Sequence, residues 1–502
     1  LIVTDGMLTA TMVSVFGAGA NSYGGLLQSG GLLALQSEVQ VGGLGVASAL
    51  GVWDISGGDV TMRDWFLLGR GTGNNAGVVT VRDTGRVTVA DNALNRMVFA
   101  FSYQGPTTST NVFTVADGGQ FLGPASSSYY LNIAEMNNTG ILGALNLNSG
   151  GRFRISRIEA SANPTAVINF NGGTLQASID SADFLTDVDI DAVTVYGAGG
   201  TLDNNGKTIT VGRPLAAAAD DGVTAVAVTG AGAGYVGAPA VYFIGGAGIP
   251  ATAYAVMEPD SVGSKTYKVK EIRVSSPGRY TSAPTSAVLL GGGPTTAATL
   301  GAVSLAANAS GGMTFTGGGK TVLTGASTYT GETLVNAGTL QLDGSLAAGS
   351  AVTVASGAKL TGAGTAAGPV VIADGGIFAS LSSASKLTVG ALSFEGAATL
   401  NLRVGGGSET LTVTGALVTA PAYGQVTVNI VEGPILWENG STNILLRFGS
   451  FGGSASDFSL GAIPGLGARQ AASLAIDNNA LVLVITGDMP YWSGEYSADW
   501  TT

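Results

Sequence analysis

The chain has 502 residues, of which 80 are glycine, 45% are hydrophobic and only 11% are charged; 21 Lys and Arg against 33 Asp and Glu leave a net charge of −12. That much apolar material excludes disorder, glycines without a three-residue period exclude collagen, and the acidic balance excludes a basic track for nucleic acid. Cysteine and histidine are both absent, which removes disulfides, thiolate catalysis, zinc–thiolate sites, and the commonest general base and metal ligand.

Val, Leu, Ile, Thr and Phe alternate with small polar residues in the period of two that strands require, so the chain reads as almost all β. No run of 18 or more apolar residues suggests a membrane span. Residues 1–212 repeat one short phrase: alternating apolar residues, a glycine corner, then another apolar residue. Its corner glycines are Gly58, Gly85, Gly119, Gly151, Gly173 and Gly200, at steps of 27, 34, 32, 22 and 27. Such a return marks a solenoid, in which each coil hides its apolar face only by stacking on the next. Glycine suits the corner because it tolerates positive φ or lets a neighbouring backbone come close.

Residues 213–302 have another texture. Gly234-Tyr235-Val236-Gly237-Ala238-Pro239 is answered by Arg279-Tyr280-Thr281-Ser282-Ala283-Pro284, each copy leading into an apolar run and a glycine turn. Two copies of one β unit imply a small inserted module, with a charged hairpin or loop between them from Met257 to Lys270. The coils resume over residues 303–487. Residues 488–502 hold Tyr491, Trp492, Tyr496 and Trp500, which read either as an aromatic cap on the stack or as the start of a further repeat block.

Lys320 through Leu342, with Gly-Ala-Ser-Thr-Tyr-Thr-Gly at 325–331 and Val-Asn-Ala-Gly-Thr-Leu at 335–340, resembles the autotransporter-associated β-strand repeat of bacterial passenger domains. Ile168 through Ile209 resembles the segment that often precedes that repeat. The resemblance implies a right-handed parallel β-helix, exported and displayed outside a bacterial cell, and implies no reaction. No translocating β-barrel can be read at the C-terminus.

Candidate chemistry is sparse. Asp187, Asp189 and Asp191 alternate with Val188 and Ile190, so on a strand they would share one face, where three carboxylates could hold Ca²⁺ or flank a glycosidic bond. The alternative is a charged, solvent-facing edge with Val188 and Ile190 in the core. Tyr235 and Tyr280, equivalent in the two module copies, either offer ring faces to sugars or pack against their own prolines. Trp492 and Trp500 complete the candidate contact surface. No catalytic residue, metal ligand or cofactor follows from these patterns.

The fold expected is therefore all-β: a parallel β-helix with a small inserted β module. The function expected is that of an extracellular structural solenoid, a cell-surface adhesin or self-assembling fibre subunit without catalysis. Its partners would be copies of itself and surface glycans. The alternative is a polysaccharide-binding or polysaccharide-degrading β-helix protein.

Overall fold

The structure is a computed structural model that describes residues 1–487 apart from 13, 44–47, 91–98, 104–107, 128, 136–137, 383–384, 405–408, 421–424, 433 and 435–436. Among the described residues there are strands, one 3-10 turn at Ala455–Asp457, and no α-helix; no helix is long and apolar enough to cross a membrane. The chain divides into two compact units, Leu1–Ala351 and Val352–Thr502.

In the first unit each coil lays down up to three short strands that pair in parallel with those of the coils before and after it. Thr108–Val115 lies between Ala76–Val81 and Gly140–Asn148, Gln120–Leu122 between Arg86–Val89 and Arg152–Ile155, and Leu131–Ile133 between Phe99–Phe101 and Ile158–Ala160. This is a parallel β-helix. Register keeps like residues in columns: Val81, Val115, Leu147, Phe170 and Val195 follow one another up the first strand position. Phe121, Phe153, Leu175 and Leu202 do so at the second. The recurring sequence phrase is the imprint of these columns, because each inward position must match the position one rung below.

Aromatic rings cluster in the core of these coils. Phe66 stacks on Phe99 at a centroid distance of 5.0 Å, Phe121 on Phe153 at 4.8 Å, and Phe113 meets Phe121 edge-on at 5.3 Å. All five are fully enclosed, and offset and edge-to-face contacts of this kind add to what burial alone contributes.

The corners explain the glycines. At Gly119 and Gly151 an added Cβ would collide with the carbonyl oxygens of Val81 and Val115 on the preceding coil. Neither has positive φ; that conformation belongs to the residues just before them, Gly118 at +96° and Gly150 at +74°. Of the two roles open to a corner glycine, close approach to the coil below is the one used here.

The ladder passes directly from Gly200–Asp203 to Met313–Thr316 and from Thr208–Val211 to Lys320–Leu323, then on to Thr333–Val335 and Thr339–Leu342. Most of what lies between is an excursion. Leu215–Ala217 still pairs with the coil strand Ala192–Val195, after which the strands from Asp221–Gly230 to Thr299–Ala307 build two antiparallel sheets of four strands each. The two sequence copies are intertwined. The first strand of the module pairs with the last, Asp221–Gly230 with Thr299–Ala307, and Thr252–Pro259 pairs with Tyr267–Ser276 across the charged hairpin. Ala240–Ile244 pairs with Ser286–Leu290 about a centre at Tyr242 and Val288.

The second unit has two runs of parallel strands. One comprises Val352–Val354, Thr365–Ala373, Leu387–Glu395, Leu411–Thr419 and Thr442–Phe451. The other comprises Lys359–Gly362, Ile377–Ala379, Thr399–Arg403, Val426–Glu432 and Phe458–Leu460. Pairing then turns antiparallel: Ala480–Gly487 joins both Thr442–Phe451 and Gln470–Asp477. The hairpin turns at Asn478 and Asn479, both at positive φ (45° and 58°), as a two-residue hairpin of the primed type requires.

A half-buried acid, Glu135, follows the strand Leu131–Ile133. Burial pushes the Glu135 carboxyl up to about 6 from its ordinary 4.5, and among the described residues its Oε2 has no hydrogen-bond partner. The folded state thus holds this proton more tightly than the unfolded one, so its stabilising contribution is complete below pH ~4.5 and is lost as pH rises through about 6. Glu135→Gln is expected to raise stability at pH 7 by ~1 kcal/mol, the full linkage value being reduced for partial exposure, and to leave it unchanged at pH 4. Thermal melts of both chains at the two pH values check this; equal gains at both would contradict it.

Candidate functional site

A strand covered on both sides is apolar at successive positions, and Ala76–Val81 is buried at every residue. Its inward Val79 and Val81 fill the helix core. Its outward Val78 stands in a column with Val52, Val112, Ala144 and Val167. The inserted module lies on that column: Ala238, Ala240, Tyr242 and Met257 pack against it together with Leu27 and Leu142. The module's other face carries its own core, built from Val223, Val226, Tyr235, Val269, Tyr280 and their neighbours.

Beside the apolar column runs a polar one, Asp54, Thr80, Thr114, Asn146, Asn169 and Thr194, and all six are buried. Buried polar atoms must find partners, and for Asn146 the module supplies two of them. Asn146, fully enclosed, directs its Nδ2 toward Thr114 Oγ1 at 3.1 Å, Thr252 Oγ1 at 2.9 Å and Ser275 Oγ at 3.2 Å, while its Oδ1 accepts from Asn169 Nδ2 at 2.9 Å. Around the rim Arg273 Nη1 donates to Asp117 Oδ2 at 2.8 Å, the Tyr23 hydroxyl to the Ala238 carbonyl at 2.8 Å, and the Tyr196 hydroxyl to the Gly278 carbonyl at 3.3 Å.

At the end of the polar column Arg82 donates through Nε and Nη2 to the two oxygens of Asp54, at 2.9 and 3.0 Å. Burial pushes the Asp54 carboxyl up. Burial also works against the Arg82 charge, but its bonds to Asp54 outweigh that and hold the guanidinium protonated. A cavity of about 120 Å³ between Val78, Val112, Leu142, Tyr242 and Phe243 remains in the seam, below the size of ordinary ligand pockets. The arrangement therefore fastens the module to the helix.

The aspartates singled out in the sequence do not share a strand face. The strand Ser181–Leu185 ends before them and Ala192–Val195 begins after them, so Asp187 to Asp191 form a turn. Val188 is 76% exposed, against the expectation that it joins Ile190 in the core, and Ile190 alone is buried. Asp187 Oδ2 accepts from the Ala160 amide at 3.0 Å, its Oδ1 from the Asp189 amide at 3.0 Å, and Asp191 Oδ2 from the Ala166 amide at 2.8 Å. Two of the three carboxylates thus satisfy backbone donors of the preceding coil. Among the described residues no group of three acids gathers to hold a metal ion.

Tyr235 and Tyr280 are 1% and 4% exposed, so neither offers a ring face to a sugar. They clasp the two module halves: the Tyr235 hydroxyl accepts from the Ala298 amide and that of Tyr280 from the Ala251 amide, both at 2.8 Å. Each ring packs on a glycine of the other half, Gly292 and Gly246. Trp492 and Trp500 lie outside the described residues. The seam residues had a sequence signal of their own. Runs such as Gly77-Val78-Val79-Thr80-Val81 and Ala166-Val167-Ile168-Asn169-Phe170 are apolar at both parities, which marks strands covered on two sides.

Residues 313–342 match the family model of the passenger-associated-transport-repeat, so the chain carries that repeat. No curated protein matches the chain. Among solved structures, the crystal structure of a TibC-catalysed, hyper-glycosylated TibA fragment is similar over 90% of this chain and 99% of that one, at 12% identity and a TM-score of 0.22. At that score it carries no structural argument, and the fold rests on the ladders described above.

Proposed function

We propose that this protein is an exported β-helical passenger of a bacterial surface or secreted protein, adhesive and non-catalytic, whose copies associate with one another. The observation that carries this reading is where the passenger-associated repeat sits. Its strands Met313–Thr316, Lys320–Leu323, Thr333–Val335 and Thr339–Leu342 continue the coil ladder rung upon rung from Gly200–Asp203 and Thr208–Val211, so the repeat is a stretch of the helix and not an appendage. Stability drawn from many stacked rungs suits a chain with no cysteine outside the cell. The engagement of Asp187 and Asp191 as turn caps speaks for a structural use of these acids.

Self-association is supported by the module's edge. Among the described residues Thr299–Ala307 ends its four-stranded sheet and pairs on one side, with Asp221–Gly230. Its nine residues include no charge and no proline, the two usual guards against edge-to-edge pairing. Sedimentation velocity over a range of concentrations is expected to show association by the wild-type chain and its loss on replacing the exposed Ala302 and Ser304 by lysine. A wild-type chain that stays a monodisperse monomer at high concentration would contradict this. Cleavage of an acidic polysaccharide, abolished by Asp189→Asn, would overturn the non-catalytic reading.

A further inference from the structure

The exposed side of the second strand position carries an arrangement that neither the module nor the core uses. Up that side, one residue per rung, run Asp59, Arg86, Gln120, Arg152, Thr174 and Thr201. The parallel column beside it holds Thr88, Leu122, Arg154 and Gln176. Arg86 and Arg152 are exposed and Arg154 half-buried, and the first two stand two rungs apart, each rung rising ~4.8 Å. Arg154 is anchored through Nε to the Gly123 carbonyl at 2.9 Å.

Three arginines so close together repel one another. Burial, and then the charges of Arg86 and Arg152, pull the Arg154 guanidinium below its usual value. Elsewhere arginines such as Arg70, Arg82, Arg157, Arg273, Arg279, Arg403 and Arg447 each have a carboxylate partner. Among the described residues Arg86, Arg152 and Arg154 have none within ion-pair distance, although the chain has 33 acids for 21 bases. Asp59 stands beside Arg86 at one end of the column, but no ion pair joins them, and the three arginines beyond it leave a local positive stretch on an acidic protein that complements an anion from outside.

We propose that this face, with Arg86, Arg152 and Arg154 as its charged donors and Gln120 and Thr174 as its neutral ones, binds an extended polyanionic saccharide lying along the helix axis. Guanidinium groups bind carboxylate and sulfate oxygens in bidentate fashion. Their recurrence along the rungs fits a ligand whose acidic groups recur along an extended chain, and Gln120 and Thr174 lie between and beyond them to meet sugar hydroxyls. A docking protein would want a buried apolar or aromatic centre, and the outward residues of this face supply only Leu122, which is itself covered. The proposal rests on the extracellular placement argued above but not on self-association, which uses the module edge.

The test is direct binding by the full chain of polygalacturonate, dextran sulfate, neutral dextran and single-stranded DNA, at low and raised salt. Binding to one or both anionic polysaccharides, weakened by salt and absent for neutral dextran, is expected; which of the two is preferred separates carboxylate from sulfate as the recognised group. The triple variant R86Q/R152Q/R154Q is expected to lose at least tenfold in affinity with an unchanged melting temperature, the corresponding lysine variant to recover part of it, and Lys265→Gln on the module to leave it unaltered. Equal binding by the triple glutamine variant would overturn the proposal, as would equal binding of neutral dextran or tighter binding of DNA. So would a wild-type oligomer that the triple variant alone dissolves, since the face would then serve a second copy.

Discussion

Gly151→Val is expected to destabilise the unit Leu1–Ala351 by ~3 kcal/mol or more, the upper range for overpacking. The new side chain would have to occupy the place of the Val115 carbonyl and of the Ala116 amide. Those atoms belong to the coil below and are fixed by the ladder joining Thr108–Val115 to Gly140–Asn148, so relief requires two coils to separate at the corner. Backbone strain cannot account for the effect, because Gly151 does not have positive φ. Gly19→Ala is the matched control. Its nearest neighbour would be the Ser22 Cβ at 3.6 Å, an ordinary contact, and the change is expected to stay within ~0.5 kcal/mol. Urea unfolding of the two variants beside the wild type measures the difference.

Arg82→Leu is expected to cost ~3–5 kcal/mol, the usual penalty for removing one partner of a buried ion pair. Asp54 is 5% exposed and takes both of its strong bonds from Arg82, so the variant leaves a carboxylate enclosed without its counter-charge. The loss should be largest at neutral pH and smaller in acid, where Asp54 can take up a proton. Replacing both residues, Asp54→Leu with Arg82→Leu, is expected to recover most of it, since a buried pair and an apolar pair of similar volume are often close in energy. Double-variant stability no better than that of Arg82→Leu would show that the pair has another role.

What the sequence made legible were features that stacking writes into every coil. The corner glycines, the columns from Val81 to Val195, and the strand repeat at 320–342 each recur because each rung must match its neighbour. The intertwined module halves left a visible 45-residue echo, but not the exchange that places each tyrosine against the opposite half. The aspartates misled for a definite reason. Asp-Val-Asp-Ile-Asp has the alternation of a strand, yet aspartate is also a turn residue, and the amides of Ala160 and Ala166 that fix these carboxylates lie a coil away. The seam is more distant still: Asn146 and Thr252 are 106 residues apart. The arginine row escaped notice because coil length varies, so residues on neighbouring rungs share no constant spacing in the chain.

One parallel ladder runs past the inserted module, bringing Thr201 directly beside Thr314. Because the chain has no cysteine, paired substitutions at these half-buried outward positions read the register without interference. Thr201→Cys with Thr314→Cys is expected to form a disulfide under mild oxidation, as adjacent rungs place the two Cα atoms within bonding range. Thr174→Cys with Thr314→Cys, two rungs apart, should not. Failure of the first pair to link, or linkage of the second as readily as the first, would contradict the account.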